Sequence, residues 1–319
     1  MFSRFRTPLS VRVPSWPTDV QAMGKIPSYP EFVHAPGTWE PTQSFDGWLD
    51  AGIGTMKMRY GHFFKPFFEQ GTAYGFTWRA PHDVRADAVL CGVLLPSRDS
   101  VGRHFPLVVM TAIPYAIIGT GQHLLPLALG DFFDRAYDAA AKSLHDGPAR
   151  LATTVKSVSA PEAGDWALAT AEYEQWCNAT VLGEAWSGLY AESPLESALA
   201  TIDSLARVVA PVRGVELPAF GPIVRLPLGR AGSGAASLWL DIIRRLCRWQ
   251  RTIPTAFWSG STLLVALGDA PPSALSDLWI TSPAETLCDL TACRPVDLVG
   301  PAGSRSVAEF LNSLYSLVS

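Results

Sequence analysis

Charge is scarce in this sequence, and the charged residues form no basic block. Only 17% of the 319 residues are charged, 48% are apolar, and the net charge is −4. Such a chain can bury a large core, which excludes a disordered protein. The missing basic block argues against nucleic acid as a partner.

Cysteine and metal-binding patterns are equally sparse. The cysteines are five, an odd number, and they are scattered along the chain, which excludes a disulfide framework. Unpaired cysteines are typical of a protein in a reducing, cytoplasmic compartment. The six histidines include no pair at a metal-ligand spacing. We therefore expect neither a metal site nor a cofactor.

The sequence also lacks a long uninterrupted apolar run. The longest candidate, residues 106–130, is broken by Pro114, Gly119, Gly121 and Pro126. A spanning helix needs about 20 continuous apolar residues, so stable membrane insertion is not expected. The first 17 residues contain arginines but no apolar stretch of signal-peptide length.

Catalytic motifs are missing as well. Segment 229–237, GRAGSGAAS, has the glycine spacing of a phosphate-binding loop, but alanines stand at 235 and 236, where lysine and serine or threonine are required. No G-x-S-x-G elbow surrounds Ser233, Ser259 or Ser304. The sequence therefore carries no local signature of an enzyme.

Strand-like and helix-like segments alternate along the chain. Apolar or β-branched runs predict strands at 20–26, 74–79, 86–95, 105–113, 254–258 and 263–267. Helical spacing predicts helices after a Ser44 N-cap and at 61–71, 124–145, 166–176, 195–209, 237–249, 272–278 and 306–317. This interleaving predicts an α/β fold, a three-layer α/β/α sandwich around a mixed central sheet.

Two further expectations concern packing and connections. The apolar sides of the helices at 61–71 and 124–145 are expected to contain Phe63, Phe64, Phe67 and Phe68, and Leu127, Leu129, Phe132, Phe133 and Tyr137, respectively. Residues 35–39, 177–194 and 211–234 are expected to form loops or long connections.

Polar residues concentrate in two short turns. The first, GKIPSYPEFV at 24–33, has Lys25 and Glu31 around bends fixed by prolines. The second, at 96–106, lies between two predicted strands and is rich in polar side chains, namely Ser97, Arg98, Asp99 and Arg103. It fits a structural turn, with Asp99 accepting backbone N–H groups and Gly102 at positive φ, and equally a binding loop on a rigid scaffold.

These turns resemble segments of the TagF (ImpM) family of type VI secretion system accessory proteins. GKIPSYPEF at 24–32 is similar to the family's G-K-[LI]-P-x-x-G-D-F, and FDGWL at 45–49 to its aromatic helix. GVLLPSRDSVGRHFPL at 92–107 is similar to its G-V-L-x-P-S-x-D-x-V-G-R-x-F-P-L, and SLWLD at 237–241 to S-L-W-W. The motif positions expected to have structural roles are Gly24, Pro27, Phe32, Trp48, Gly92, Pro96, Gly102, Phe105, Pro106 and Trp239.

One departure affects the first turn. Pro30 and Glu31 replace the family's Gly-Asp pair. Because proline fixes φ near −65°, a positive-φ turn at that position cannot form here.

We expect a flexible leader (1–19), a TagF-like α/β domain (20–285) with an insertion at about 145–235, and an extension (286–319) ending in a helix; the resemblance covers the middle part. It also implies a cytoplasmic, non-enzymatic, post-translational negative regulator of type VI secretion that binds a forkhead-associated scaffold protein. The phosphatase domain fused to some family members is not expected here.

For the site, we expect six partner-binding residues to gather at one end of the sheet with their charges outward: Lys25, Glu31, Ser97, Arg98, Asp99 and Arg103. Ile26, Phe32 and Phe105 would form an apolar floor beneath them. Two alternatives stay open. The same cleft could serve an enzyme or bind a small ligand, with Lys25, Ser97 and Asp99 in hydrogen-bond reach. The protein could also be a structural subunit of the apparatus.

Overall fold

An eight-stranded sheet forms the middle of the protein. A computed structural model of the chain describes residues 19–33, 40–84, 86–161, 163–230, 232–280, 287–293 and 304–314. The strands are β1 (Gln21–Met23), β2 (Tyr74–Trp78), β3 (Ala88–Leu95), β4 (Leu107–Pro114), β5 (Ile223–Pro227), β6 (Thr255–Ser259), β7 (Thr262–Ala266) and β8 (Leu287–Asp289).

The sheet is mixed and mostly antiparallel. Its spatial order is β1-β4-β3-β2-β6-β7-β5-β8. The β5–β8 pair is parallel, and the other neighbouring pairs of described strands are antiparallel. Antiparallel neighbours can be joined by a tight turn, as β6 and β7 are, whereas the longer polar turn at 96–106 joins β3 and β4.

Helices cover both faces of this sheet. Their bounds are α1 (Glu40–Tyr60), α2 (Phe64–Glu69), α3 (Tyr115–Ile118), α4 (Leu125–Ala128), α5 (Gly130–Ser143), α6 (Pro148–Lys156), α7 (Ala163–Ala179), α8 (Leu182–Ser187), α9 (Pro194–Val208), α10 (Gly232–Cys247), α11 (Ala274–Trp279) and α12 (Val307–Ser313). Short 3-10 turns occupy Gly61–Phe63, Gln122–Leu124 and Ala210–Val212. Among the helices of the described ranges, none is long and apolar enough to cross a membrane.

The side chains of β3 show how the three layers form. Val89, Cys91 and Val93 point into the core beneath α3 to α10 and α12, whereas Leu90 and Leu94 point into the core beneath α1, α2 and α11. Alternation along a strand sends successive side chains to opposite faces, so a strand apolar at every position needs a cover on both sides. The predicted α/β/α sandwich is confirmed.

Several predicted details are wrong, each for a local reason. Helix α1 already begins at Glu40, because Pro41 is tolerated in a first helical turn, so Ser44 is not its N-cap. Gly61, at φ +51°, breaks the chain into a 3-10 turn that leaves Phe63 exposed while Phe64 and Phe68 are buried. Tyr137 is also exposed, since the inner face of α5 is formed by Phe132, Phe133, Ala136, Ala139 and Ala140.

The predicted connections contain structure that the sequence pattern missed. Helix α8 lies within 177–194, and β5 lies within 211–234. Strand β5 is short and carries Arg225 at its centre, so its apolar signal is weak. Helices α6 to α9 supply much of one helical layer. The expectations for residues 1–18 and for the loop at 35–39 fall outside the described residues.

Candidate functional site

The two polar turns pack against each other at the end of the sheet where β3 ends and β4 begins. Gly24 closes the first turn by exchanging two backbone hydrogen bonds with Val33, at 3.0 and 2.8 Å. The Ser97 hydroxyl donates to the Lys25 carbonyl oxygen at 2.6 Å, and the Ser100 N–H donates to the Tyr29 carbonyl oxygen at 3.2 Å. The structure thus brings the two turns together.

A buried carboxylate, that of Asp99, joins the turns. Its Oδ2 accepts from Lys25 Nζ and from Arg103 Nε, both at 2.6 Å. Its Oδ1 accepts from the backbone N–H groups of Val101, at 3.1 Å, and Arg103, at 2.8 Å. Burial on its own raises the pKa of this carboxyl, but the hydrogen bonds from Lys25 and Arg103 outweigh burial and hold the pKa well below its usual range. Asp99 is therefore ionised at neutral pH.

The expectation that all six site residues face outward is wrong for three of them. The side chains of Lys25 and Asp99 are only 7% and 0% exposed, and Ser97 is buried. Opposite charges in contact satisfy each other internally, and the Lys25 ammonium also lies 5.1 Å from the centroid of the Phe32 ring. These three residues therefore hold the turns together beneath the surface, which fits the structural turn considered above.

The exposed part of the site is smaller. The side chains of Arg98 and Arg103 are 56% and 57% exposed, and Glu31 and Val101 are exposed beside them. We refer to Glu31, Arg98, Val101 and Arg103 as the turn rim. Arg103 is held in place because it also donates to the carbonyl oxygen of Pro30. The turn rim is thus a short, partly anchored surface of one acidic, one apolar and two basic side chains.

The expected apolar floor lies below this rim and is mostly closed. Ile26 and Phe105 are buried, and only Phe32 is partly accessible. The Phe32 and Phe105 rings meet edge to face with their centroids 4.7 Å apart. The floor therefore supports the turns more than it offers a binding surface.

Several motif positions have clear structural reasons. Gly24 adopts φ +123°, and a Cβ there would lie 1.9 Å from the Pro106 carbonyl oxygen. A Cβ on Gly92 would lie 2.2 Å from the Val109 carbonyl oxygen. The indole N–H groups of Trp48 and Trp239 donate to backbone carbonyl oxygens at 2.8 and 2.7 Å.

A groove of about 270 Å³ runs beside the turns, and Pro27, Pro96 and Ser97 help to line it. Its ionisable side chains include His104, whose Nε2 lies 2.8 Å from Glu69 Oε1. That hydrogen bond lowers the pKa of Glu69. Lys25 is occupied by Asp99, and the Ser97 hydroxyl is occupied by a carbonyl oxygen, so the three form no nucleophile–base relay. Within the described ranges, no group of three or more His, Cys, Asp or Glu side chains could hold a metal ion.

Sequence reasoning missed a second polar cluster, on the opposite face of the sheet from α1. Asp241 of α10 is fully buried and accepts from Arg244, Arg245 and, at 3.2 Å, the Tyr173 hydroxyl. Nearby, burial lowers the pKa of His123 to about 4, so this imidazole is neutral at neutral pH. The spacing of Asp241, Arg244 and Arg245 within one predicted helix was the available signal, because residues three and four apart share a helix face.

Comparisons with known proteins agree with the motifs. Residues 22–159 match the family model of the TagF N-terminal domain, described as type VI secretion system-associated. The fold is similar to the crystal structure of PA0076 from Pseudomonas aeruginosa PAO1, with a TM-score of 0.50, 17% sequence identity, and 89% of this chain and 100% of that chain covered. This likeness concerns the fold alone. No curated protein matches the chain. Residues 22–159, which contain both polar turns, are therefore similar to the TagF N-terminal domain, and the resemblance drawn from the motifs is confirmed.

Proposed function

We propose that the protein is a cytoplasmic accessory protein of a type VI secretion system that restrains the system after translation. It would do so without catalysis, by binding a forkhead-associated scaffold component. The observation that carries this proposal is the match of residues 22–159 to the TagF N-terminal domain. The structure adds a candidate contact surface, the turn rim.

The turn rim suits a docking role because its arginines are held on a rigid base. Arg103 is anchored by buried Asp99 and by the Pro30 carbonyl oxygen, so little side-chain freedom is lost when a partner binds. Arginine is enriched at interfaces because its planar guanidinium presents five donors in a fixed arrangement. Arg98 lies 3.6 Å from Glu69, an exposed pair that a partner carboxylate can replace at small cost.

A second exposed surface lies beside the rim, at the junction of α1 and α2. Met58 is 83% exposed, Phe63 is exposed, and Lys57 and Lys65 are exposed around them. Phe64 connects this junction to the second turn through its edge-to-face contact with His104, at 5.7 Å between centroids. Although the chain as a whole carries a net charge of −4, this junction has a local excess of cations around exposed apolar side chains. It therefore favours a partner surface that is acidic and has apolar side chains.

The proposal is tested by measuring the affinity of the purified chain for the purified forkhead-associated protein of the same secretion system. The double variant Arg98→Ala, Arg103→Ala is expected to bind at least about 10-fold more weakly, because arginine is enriched among the few interface residues whose truncation costs about 2 kcal/mol or more. A matched control is Arg207→Ala, which removes an arginine of similar exposure from α9. It is expected to bind like the unchanged chain.

Two results would contradict the proposal in different ways. No binding by the unchanged chain would show that the partner class is wrong. Binding by a folded double variant at unchanged affinity would show that the turn rim is not the contact surface. Regulation is tested separately in the host, where additional copies of the protein are expected to lower release of secreted substrates, and the double variant is expected to lower it less.

A further inference from the structure

The segment between α9 and β5 displays apolar side chains outward. Phe220 is 90% exposed, and Val215 and Leu217 are exposed on the same segment. We refer to these three residues as the apolar loop patch. A single exposed apolar residue is ordinary on a protein surface, whereas several on one short segment are typical of an interaction site. The patch belongs to neither polar turn, so it is a separate candidate contact surface.

The backbone of this segment is fixed, although its side chains are exposed. Four hydrogen bonds of 2.8–3.1 Å join its backbone groups to side chains or backbone elsewhere in the chain. They connect Val215, Leu217, Pro218 and Ala219 to Trp249, Thr252, Arg79 and Asp269, respectively.

Leu217 shows that the surroundings determine this conformation. It adopts φ +51°, which is unfavourable for a residue that carries a side chain. Such a conformation persists only where neighbouring groups enforce it, and here the Leu217 N–H donates to Thr252 Oγ1 at 3.0 Å. A segment that is already ordered loses little conformational entropy when it binds, so the patch is preorganised for contact.

A groove with a complementary lining lies on the same chain, between α7, α8 and the first turns of α10. Its volume is about 350 Å³, and Trp176, Leu189 and Leu238 contribute to its mostly apolar walls. We refer to it as the α7 groove. Glu172 is the only charged residue in its lining. A lining of this kind suits a flat apolar group such as the Phe220 ring.

The charges beside the two surfaces are opposite. Glu172 is exposed at the groove, and it forms no ion pair in the described ranges. Arg251 is exposed beside the patch, where its backbone N–H donates to Glu216 Oε2 at 3.4 Å, and its guanidinium has no ion pair within the part of the chain that the structure describes. The carboxylate of Glu216 also accepts hydrogen bonds from Gln250 and Thr252. A patch seated in the groove therefore brings a cation towards an anion, which favours one orientation of docking.

The patch does not reach the groove of its own molecule. Both surfaces adjoin α10, but at opposite ends of this helix. Gly234 and Leu238 line the groove, whereas the Cys247 carbonyl oxygen accepts from the Gly214 N–H at 2.8 Å, next to the patch. At a rise of about 1.5 Å per residue, Gly234 and Cys247 lie about 20 Å apart. A contact between the two surfaces therefore joins two molecules.

We propose that the apolar loop patch of one molecule docks into the α7 groove of a second copy of this chain, with Phe220 as the anchor. Two different surfaces meet, so each dimer keeps a free patch and a free groove, and larger chains or rings form as concentration rises. Three side chains bury less than the roughly 1,000 Å² of a stable interface, so the expected Kd is about 0.1 mM. The turn rim takes no part, and this inference does not rest on the proposed function.

The test measures self-association of the full-length chain by sedimentation velocity at about 5–500 µM. The unchanged chain is expected to sediment faster as its concentration rises. Phe220→Asp is expected to weaken self-association at least about 10-fold, because a charge replaces the anchor. Met58→Asp is the matched control, since it places the same charge at a highly exposed apolar position of α1, and it is expected to leave self-association unchanged.

The groove is tested with Gly234→Leu. A Cβ on Gly234 would have no atom within 4 Å, so a leucine fills the groove without a clash and has a better helix propensity than glycine. This variant is expected to stay folded, which circular dichroism checks, and to self-associate at least about 10-fold more weakly. Glu172→Lys is expected to weaken self-association several-fold, because it brings a second cation towards Arg251.

A mixture of two variants distinguishes this contact from other kinds of association. Phe220→Asp retains the groove and lacks the anchor, whereas Gly234→Leu retains the patch and lacks the open groove. Each alone is expected to be largely monomeric at about 100 µM, and an equimolar mixture is expected to form a 1:1 heterodimer and no larger species.

Four outcomes would overturn the proposal. The first is an unchanged chain that stays monomeric at about 500 µM. The second is self-association that persists at full strength in folded Phe220→Asp, Gly234→Leu or Glu172→Lys. The third is a mixture of Phe220→Asp and Gly234→Leu that remains monomeric. The fourth is Phe220-dependent binding to vesicles of anionic phospholipid without self-association, which would identify a membrane surface as the occupant instead.

Discussion

Replacing Lys25 by methionine tests whether the buried ion pair holds the two turns together. The change keeps the apolar stem and removes the ammonium that lies 2.6 Å from Asp99 Oδ2. Removing one partner of a buried pair typically costs about 3–5 kcal/mol, because the other charge stays buried. Asp99 keeps Arg103 Nε and two backbone donors, so we expect the free energy of unfolding to fall by about 2–3 kcal/mol.

The assay is urea unfolding near neutral pH, followed by the fluorescence of the tryptophans. A double-mutant cycle with Asp99→Asn isolates the pair, and a coupling energy of about 2 kcal/mol or more is expected. Lys142→Met is the matched control, because that lysine forms an exposed pair with Asp138 and its loss is expected to change stability by less than about 0.5 kcal/mol. A cost for Lys25→Met as small as that of the control would refute the internal role assigned to the pair.

The same pair predicts a pH dependence. Asp99 has its pKa lowered in the folded state, so its contribution to stability is fully present above the unfolded pKa of about 3.9 and is lost as pH falls through the lower folded value. The difference in unfolding free energy between the unchanged chain and Asp99→Asn is therefore expected to be constant above about pH 5 and to shrink below about pH 4. A difference that grows on acidification would contradict this assignment.

Two further predictions concern other positions. Gly24→Ala is expected to lower the free energy of unfolding by more than about 2 kcal/mol, since a Cβ would lie 1.9 Å from the Pro106 carbonyl oxygen. Gly54→Ala is the control, because Gly54 has open space around it in α1, and this change is expected to be neutral or stabilising. Equal unfolding midpoints for the two variants would contradict this prediction. The His123 pKa of about 4 lies below its unfolded value of about 6.5, so stability drops as pH falls from 6.5 towards 4. Between neutral pH and about pH 5, protonation linked to this residue is expected to lower the free energy of unfolding by about 2 kcal/mol. Urea unfolding of His123→Phe is expected to lack this decrease. An unchanged dependence of stability on pH in that variant would contradict the prediction.

The layers and the long helices and strands could be predicted from the sequence, because the patterns that indicate them lie within short stretches of the chain. Strands β3 and β4 are almost entirely apolar, and the glycines at 24, 92 and 102 lie in motifs whose spacing is visible without a structure. Short elements escaped detection where one charged residue interrupts the pattern, as Arg225 does in β5.

The candidate site was predicted in position but not in burial. Sequence shows that Lys25 and Asp99 carry charge and lie 74 residues apart in the chain, yet it does not show that Lys25 Nζ and Asp99 Oδ2 are 2.6 Å apart in space. A charged side chain is exposed by default and is buried only when a partner arrives from elsewhere in the chain. The Asp241 cluster was missed for the same reason, since Tyr173 comes from 68 residues earlier.

The position of β1 gives the buried ion pair a further importance. This three-residue strand lies at the edge of the sheet and covers Val108 to Met110 of β4, and Lys25 follows it by two residues. A strand this short contributes few hydrogen bonds, so the ion pair between Lys25 and Asp99 helps to hold it at the edge of the sheet. Without this ion pair, Val108 to Met110 of β4 would offer unpaired backbone groups to a second molecule, and the chain would become prone to self-association through that edge.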